Sequence, residues 1–197
     1  MHSLCIQIEH TNSVYYWYTR GMRIIIKTVG TAGVIALLSY PFWAPQWGSG
    51  ILGEIAGLGT IGALIVVAVF FLIVALYCRA LQTTMTLVRP EARSAAPASV
   101  WWMFAIPFNF TEDFFIVHTV SSSMTADARM PSAFMRWWAP LGYGWCVFQI
   151  VSLFPGITGF IGGAIAIPLW AAHWIMTVRA NRMLAAWRTA VPITSSL

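Results

Sequence analysis

The chain has 197 residues, enough for one ordinary domain, but 59% of them are hydrophobic and only 9% are charged, against about 25% charged in soluble domains. Eleven Lys and Arg against six Asp and Glu leave a net charge of +5; these charges cluster between apolar runs and form no basic patch interleaved with aromatics, which argues for a lipid bilayer and against nucleic acid as the partner. Cys5, Cys78 and Cys146 are odd in number and far apart, so neither a disulfide framework nor a zinc spacing is present and the thiols read as inert.

Residues 1–21 form a polar N-terminal extension. His10, Thr11, Asn12 and Ser13 stand where the apolar core of a cleavable signal would have to lie, so the first apolar helix is expected to do the targeting. Met22, directly before Arg23, is an alternative start, which would make the preceding stretch a disordered or interfacial extension. His2 and His10 in this leader signal nothing.

A single helical membrane domain is expected over residues 22–188. Crossing roughly 30 Å of hydrocarbon takes about 20 apolar residues, and four runs qualify: residues 24–44, 55–78, 137–154 and 157–178. In the first, Lys27 can snorkel to the surface, and Pro41, Trp43, Pro45 and Trp47 mark an interface. The second is closed by Arg79. The last two are joined by Phe154-Pro155-Gly156, so short a link that they must form an antiparallel hairpin. Residues 82–99, with Pro90 and Pro97, read as a cytoplasmic linker, and residues 189–197 as a C-terminal tail.

A fifth run, residues 100–122, is long enough to cross but carries Pro107, Asn109, Thr111, Glu112, Asp113 and His118. The positive-inside rule discriminates here. If this run spanned, the Arg129/Arg136 loop and the tail with Arg179, Arg182 and Arg188 would fall outside; if it enters and leaves on one side, all eleven basic residues lie in the cytoplasm. The expected fold is therefore an all-α integral membrane protein with four transmembrane helices, both termini cytoplasmic, and a Pro-broken re-entrant or interfacial segment. Pro107 removes a backbone donor and disfavours helix at Ile106, so the segment divides into two arms. Asn109 has the character of an N-cap for the second arm, with Glu112 three residues on as in a capping box and Asp113 in the first turn.

Ionisable groups in a membrane segment are functional candidates, because burying one costs a few kcal/mol unless it is paired or hydrated. Asn109, Glu112, Asp113 and His118 are the candidate polar site, weighed against a purely capping role for the carboxylates. At 100° per residue Asn109, Glu112 and Asp113 share one face while Thr111, His118 and Ser122 share the opposite one, which favours protein or headgroups on both sides over a single pore-lining stripe. His118 and His173 read first as satisfied core histidines, with proton handling or ligation of a haem, pigment or metal as the alternatives; no metal set and no cofactor is expected. Trp43, Trp47, Trp101, Trp102, Trp137, Trp138 and Trp187 fall near the ends of apolar segments and are expected in an interfacial belt. Gly53-x-x-x-Gly57 and Gly159-x-x-x-Gly163 fit close helix contacts, within one chain first and between copies as the alternative.

The stretch Arg89-Pro90-Glu91-Ala92-Arg93, then Pro97, then Val100-Trp101-Trp102-Met103-Phe104-Ala105-Ile106-Pro107-Phe108-Asn109 resembles a pattern of uncharacterised bacterial multi-pass membrane proteins, in which a proline, a Val-Trp pair and an Ile-Pro-x-Asn type core share one apolar segment after a cytoplasmic linker. Thr111-Glu112-Asp113 departs from the apolar continuation of that pattern. The resemblance implies a bacterial inner-membrane setting and no catalytic activity. No hydrolase, metalloprotease, P-loop or dinucleotide signature occurs in the sequence. The expected function is that of a non-catalytic accessory or scaffolding component, with other membrane proteins or further copies of itself as partners; the alternative is a small transporter or channel using Glu112 and Asp113.

Overall fold

The computed structural model describes the backbone of residues 2–190 and the side chains of residues 21–188. Among them there is no strand. The helices run in the order α1 (His2–Trp43), α2 (Gly50–Ala56), α3 (Gly59–Leu87), a 3-10 arm (Pro97–Phe104), α4 (Asn109–Asp127), α5 (Ser132–Val151) and α6 (Gly156–Ala190), with single 3-10 turns at Pro45–Trp47 and Pro90–Ala92.

Three stretches are long and apolar enough to cross a membrane: Gly21–Trp43 within α1, Gly59–Leu87, and Gly156–Arg188 within α6. The fourth expected crossing, α5, has 20 residues, about 30 Å at 1.5 Å per residue. Its length suffices, but Arg136, Pro140, Tyr143 and Gln149 dilute its apolar character.

Several boundaries differ from those expected. The leader does not stand apart from the first crossing, since α1 runs without interruption from His2; the side chains of its first 20 residues, Cys5, His2 and His10 included, lie outside the described residues. The tail beyond Ala190 lies outside them too. The run 55–78 is broken at Gly57–Leu58, because Gly59 takes φ +71°, a left-handed conformation open to glycine at little cost. At its other end α3 continues through Gln82 to Leu87, so the linker expected over 82–99 shrinks to its second half. The polar residues there satisfy themselves along the helix: Thr83 and Thr84 donate to the carbonyls of Arg79 and Ala80 at 2.8 and 3.1 Å. The helix stops where Pro90 forces Arg89 into extended backbone, ψ 139°.

The core sits around the C-terminal half of α3, where four helices meet. Tyr77, Cys78, Leu81 and Met85 of α3, Val117, Val120 and Met124 of α4, Trp138 and Cys146 of α5, and Ala180 and Leu184 of α6 are all sealed from the surface. Trp138 was expected in the interfacial belt; it is fully buried instead, its ring tilted against His173 at 4.3 Å between centroids and its indole N–H donating to Thr177. Trp43, Trp47, Trp101, Trp102, Trp137 and Trp187 stay exposed. In contrast to the core, α1 and the first half of α3 leave large apolar side chains uncovered, Ile24, Val29, Ile61, Leu64 and Leu72 among them.

Of the two expected glycine pairs, only Gly159 admits close approach by a neighbouring part of the chain. A Cβ on Gly53 would meet only Ser49, and one on Gly57 the carbonyls of Glu54 and Gly53, all local to α2. A Cβ on Gly163 would make ordinary contact with Ser152 at 3.8 Å, whereas one on Gly162 would fall 2.5 Å from the Ser152 nitrogen. Gly159 and Gly162 thus let α6 fold back on its own hairpin turn. Gly30 and Gly142 do the same between helices, against Thr111 of α4 and against Val117 and His173 respectively. Since backbone cannot yield as a side chain can, Gly162→Ala is expected to lower stability by about 1–3 kcal/mol while Gly163→Ala leaves it nearly unchanged, as read from thermal unfolding in mild detergent.

Candidate functional site at the helix break

The segment following the linker is built as two arms meeting at an irregular tip. The 3-10 arm Pro97–Phe104 runs along α3, with Trp101 donating to Gln82 at 2.9 Å, Cys78 beside Met103 at 3.4 Å and Phe104 stacked on Phe71 at 5.8 Å. Its contacts move towards the N-terminus of α3 as the arm proceeds, so the two are antiparallel. After Ala105 the chain turns through a cis Ile106–Pro107 bond and enters α4. The expected break at Pro107 is present, but Asn109 is not the cap. Phe108 already has helical geometry and no side chain caps the helix; the Asn109 N–H is taken by the Ala105 carbonyl at 2.9 Å and the Glu112 N–H by that of Phe108 at 3.1 Å.

Relieved of capping, Glu112 forms an ion pair with Lys27 of α1 at 2.5 Å. The ammonium also lies over the rings of Phe115 and Phe108, at 4.7 and 5.4 Å from their centroids, a favourable cation–π arrangement. Beside it the Thr31 and Thr111 hydroxyls share a hydrogen bond of 3.1 Å, at the place where Gly30 admits Thr111. Asp113 turns to α5 and accepts from Gln149 at 2.8 Å. Its second oxygen, and the Asn109 side-chain oxygen one helical turn away, are buried and lack a hydrogen-bond partner among the described residues.

The division of polar groups therefore follows the neighbours. Thr111 and Glu112 both serve α1, Asp113 serves α5, and His118 is exposed with Tyr143 of α5 at 3.3 Å. His173 lies apart from His118, buried on α6, where its Nδ1 and the Tyr77 hydroxyl are 2.7 Å apart. Tyr77 is in turn ringed edge-on by Trp145, Trp170 and Trp174 at 5.5, 5.7 and 6.0 Å. Among the described residues no three His, Cys, Asp or Glu side chains converge as a metal set.

The segment closes on itself at Asp127, which sequence reasoning did not single out. This carboxylate is fully buried at the C-terminus of α4, and accepts the backbone N–H of Arg89 at 2.7 Å and the Nε and Nη2 of Arg129. Arg129 continues to the Leu87 carbonyl at 2.8 Å, Arg93 to Thr86 and Val88, and Arg188 of α6 to Thr86 at 2.5 Å. Three guanidinium groups thus satisfy the orphan carbonyls at the C-terminus of α3, where positive charge also complements the helix dipole. Nearby, Ser94 in the entering strand of chain bonds Ser123 and the Thr119 carbonyl of the leaving helix. The only sequence signal of this clasp was Asp127-Ala128-Arg129 itself, an acid and a base too close along the chain to reveal their distant partners.

Burial pushes the Asp127 carboxyl up, but the hydrogen bonds and charges of Arg129 and Arg89 outweigh it and hold it below its ordinary value of 3.8. Arg129 is correspondingly raised, first by its hydrogen bond to Asp127.

No family model, curated protein or solved structure matches this chain.

Two predictions follow from the geometry. Lys27→Gln strands the Glu112 carboxylate and should cost about 2–3 kcal/mol, less than for a fully enclosed pair because the Lys27 side chain keeps 27% of its surface exposed; the exchange Lys27→Glu with Glu112→Lys should recover part of that loss in a thermal-unfolding cycle. Asp127→Asn should cost about 2–3 kcal/mol at neutral pH through lost charge-assisted hydrogen bonds. Because the folded carboxyl titrates below its unfolded counterpart, this contribution is fully present above 3.8 and is lost as pH falls through the depressed value, so the gap between wild type and variant should close on acidification below that range.

Proposed function

We propose that this chain is a non-catalytic component of an assembly in a bacterial inner (cytoplasmic) membrane, crossing it four times through residues 24–44, 59–78, 137–154 and 157–178, with both termini in the cytoplasm. The bacterial setting rests on the resemblance around Arg89–Asn109. The topology is supported by the clasp: residues from the linker (Arg89, Arg93), from the loop after α4 (Arg129) and from the end of α6 (Arg188) gather at one end of α3, in keeping with a segment that leaves and returns on one side and a hairpin that crosses twice.

The observation that carries the accessory role is the use made of the candidate polar groups. Glu112, Thr111 and Asp113 join α4 to α1 and α5 inside the chain, while the apolar faces of α1 and of the first half of α3 are left uncovered. Lipid tails cover such faces, and so do other membrane helices. Solubilised gently from its own membrane, the protein should run as a discrete particle containing more than one chain by light scattering corrected for detergent; a well-behaved lone monomer would contradict this role.

One observation favours a second reading, a small transporter or channel. The unpartnered oxygens of Asn109 and Asp113 lie one turn apart on α4 at the irregular tip, and irregular backbone at membrane depth is tolerated where it lines a cavity. Ion flux into proteoliposomes that is lost in Asp113→Asn would support it, and flux unchanged by Asp113→Asn and Glu112→Gln would remove these groups from any pathway.

A further inference from the structure

Among the described residues the arginines differ in their partners: four are bound at the end of α3, Arg136 lies over the Trp137 ring at 5.9 Å, and Arg23, Arg79, Arg179 and Arg182 are exposed with no hydrogen bond or ion pair. Arg89, Arg93, Arg129 and Arg188 are engaged with carboxylates or backbone carbonyls at the end of α3. Arg179 and Arg182 are exposed one helical turn apart on α6, and neither has a hydrogen bond or ion pair among the described residues. No acid is at hand to neutralise them. Asp127 is the last Asp or Glu of the sequence, so α5 and α6 contain none. Of the remaining acids in the described region, Glu112 is paired to Lys27, Glu91 lies near Arg89, Asp113 is enclosed beside Gln149, and Glu54 belongs to α2.

These two arginines flank an open groove of about 500 Å³ between α5 and α6, otherwise walled by apolar side chains, including Trp137, Leu141, Met176 and Met183. Its place along the helices is informative. Arg179 is the first charged residue after the apolar stretch of α6, and Trp137, 59% exposed, begins the apolar stretch of α5. On the four-span topology proposed above, the groove straddles the boundary at which hydrocarbon gives way to headgroups, with Leu141 and Met176 towards the hydrocarbon and Arg182 on the headgroup side.

We propose that this groove binds an anionic phospholipid, its phosphate held by Arg179 and Arg182 and one acyl chain laid along Leu141 and Met176. A free anion would leave the apolar walls uncovered, and a zwitterionic lipid brings its own cation to two unneutralised guanidinium groups. Basic pockets between helices at a membrane surface suit phosphate-bearing headgroups.

The test uses the full chain in mild detergent, with native mass spectrometry after addition of phosphatidylglycerol or phosphatidylcholine of matched acyl chains. Two arginines, each contributing about a factor of five near an anionic surface, predict a preference of about 25-fold for phosphatidylglycerol. Arg179→Gln with Arg182→Gln should bring its binding down to the phosphatidylcholine level, whereas Arg79→Gln, which removes an exposed arginine of α3, should not. Leu141→Trp fills the groove without touching the charges and should weaken the adduct as well, so the proposal is tested even if the double variant does not keep its helical circular dichroism. Equal binding of the two lipids would overturn it, as would a double variant that retains the preference. Displacement of the lipid by millimolar inorganic phosphate would also overturn it, showing an anion site that ignores the acyl chain.

Discussion

Asp127 is an acid sealed from solvent, and it stays charged because the chain brings two arginines and a backbone N–H to it. The same contacts fix where the broken segment begins and ends. Arg89 precedes the 3-10 arm and Asp127 closes α4, and they meet at 2.7 Å, so everything between them is an excursion with a common entrance and exit. Arg129 and Arg188 extend the clasp to the open carbonyls of α3, which ties α4 and α6 to the same helix end. A carbonyl left unpaired there and a carboxylate left unpaired at Asp127 would each be costly; bringing them to shared guanidinium groups removes both liabilities at once.

The far end of the excursion is governed by the opposite problem. Around Pro107 the backbone cannot continue a helix, and irregular backbone in an apolar medium must be enclosed by protein. The enclosure comes from α1 on one side, through Gly30, Thr31 and Lys27, and from α5 on the other, through Gln149. Glu112 lies fifteen positions before Asp127 on α4, about 22 Å along the helix axis at 1.5 Å per residue. One helix thus separates a tip held by an ion pair from a base held by arginines, and its polar groups are engaged mainly in this structural work. The oxygens of Asn109 and Asp113 are the exception.

Features dictated by local chemistry were legible in the sequence: the long apolar runs, the break at Pro107 and the tight turn at Phe154-Pro155-Gly156. Features that depend on distant partners were not. Thr31 meets Thr111, 80 residues away, beside Gly30, and Arg89 meets Asp127, 38 residues away; no spacing rule connects them. Composition misled in two places. The threonines of residues 82–87 have the character of a linker yet continue α3 by bonding back along it, and Trp138, placed by its position in a belt, is drawn into the core because Gly142 lets His173 come close. The capping motif at Asn109 was misread for a related reason: the carbonyls of Ala105 and Phe108 already occupy the first N–H groups of α4, which leaves Glu112 to Lys27.

The central claim is that the chain from Arg89 to Asp127 enters and leaves on one side of the membrane. Single cysteines at Ala96 and Ala126, exposed positions just inside the two ends of the excursion, placed in a chain whose native cysteines are replaced, test this most directly when right-side-out and inverted vesicles are treated with an impermeant thiol reagent. Both positions should react in the inverted vesicles alone. Reaction of the two from opposite sides would show that the segment crosses, and would contradict the account.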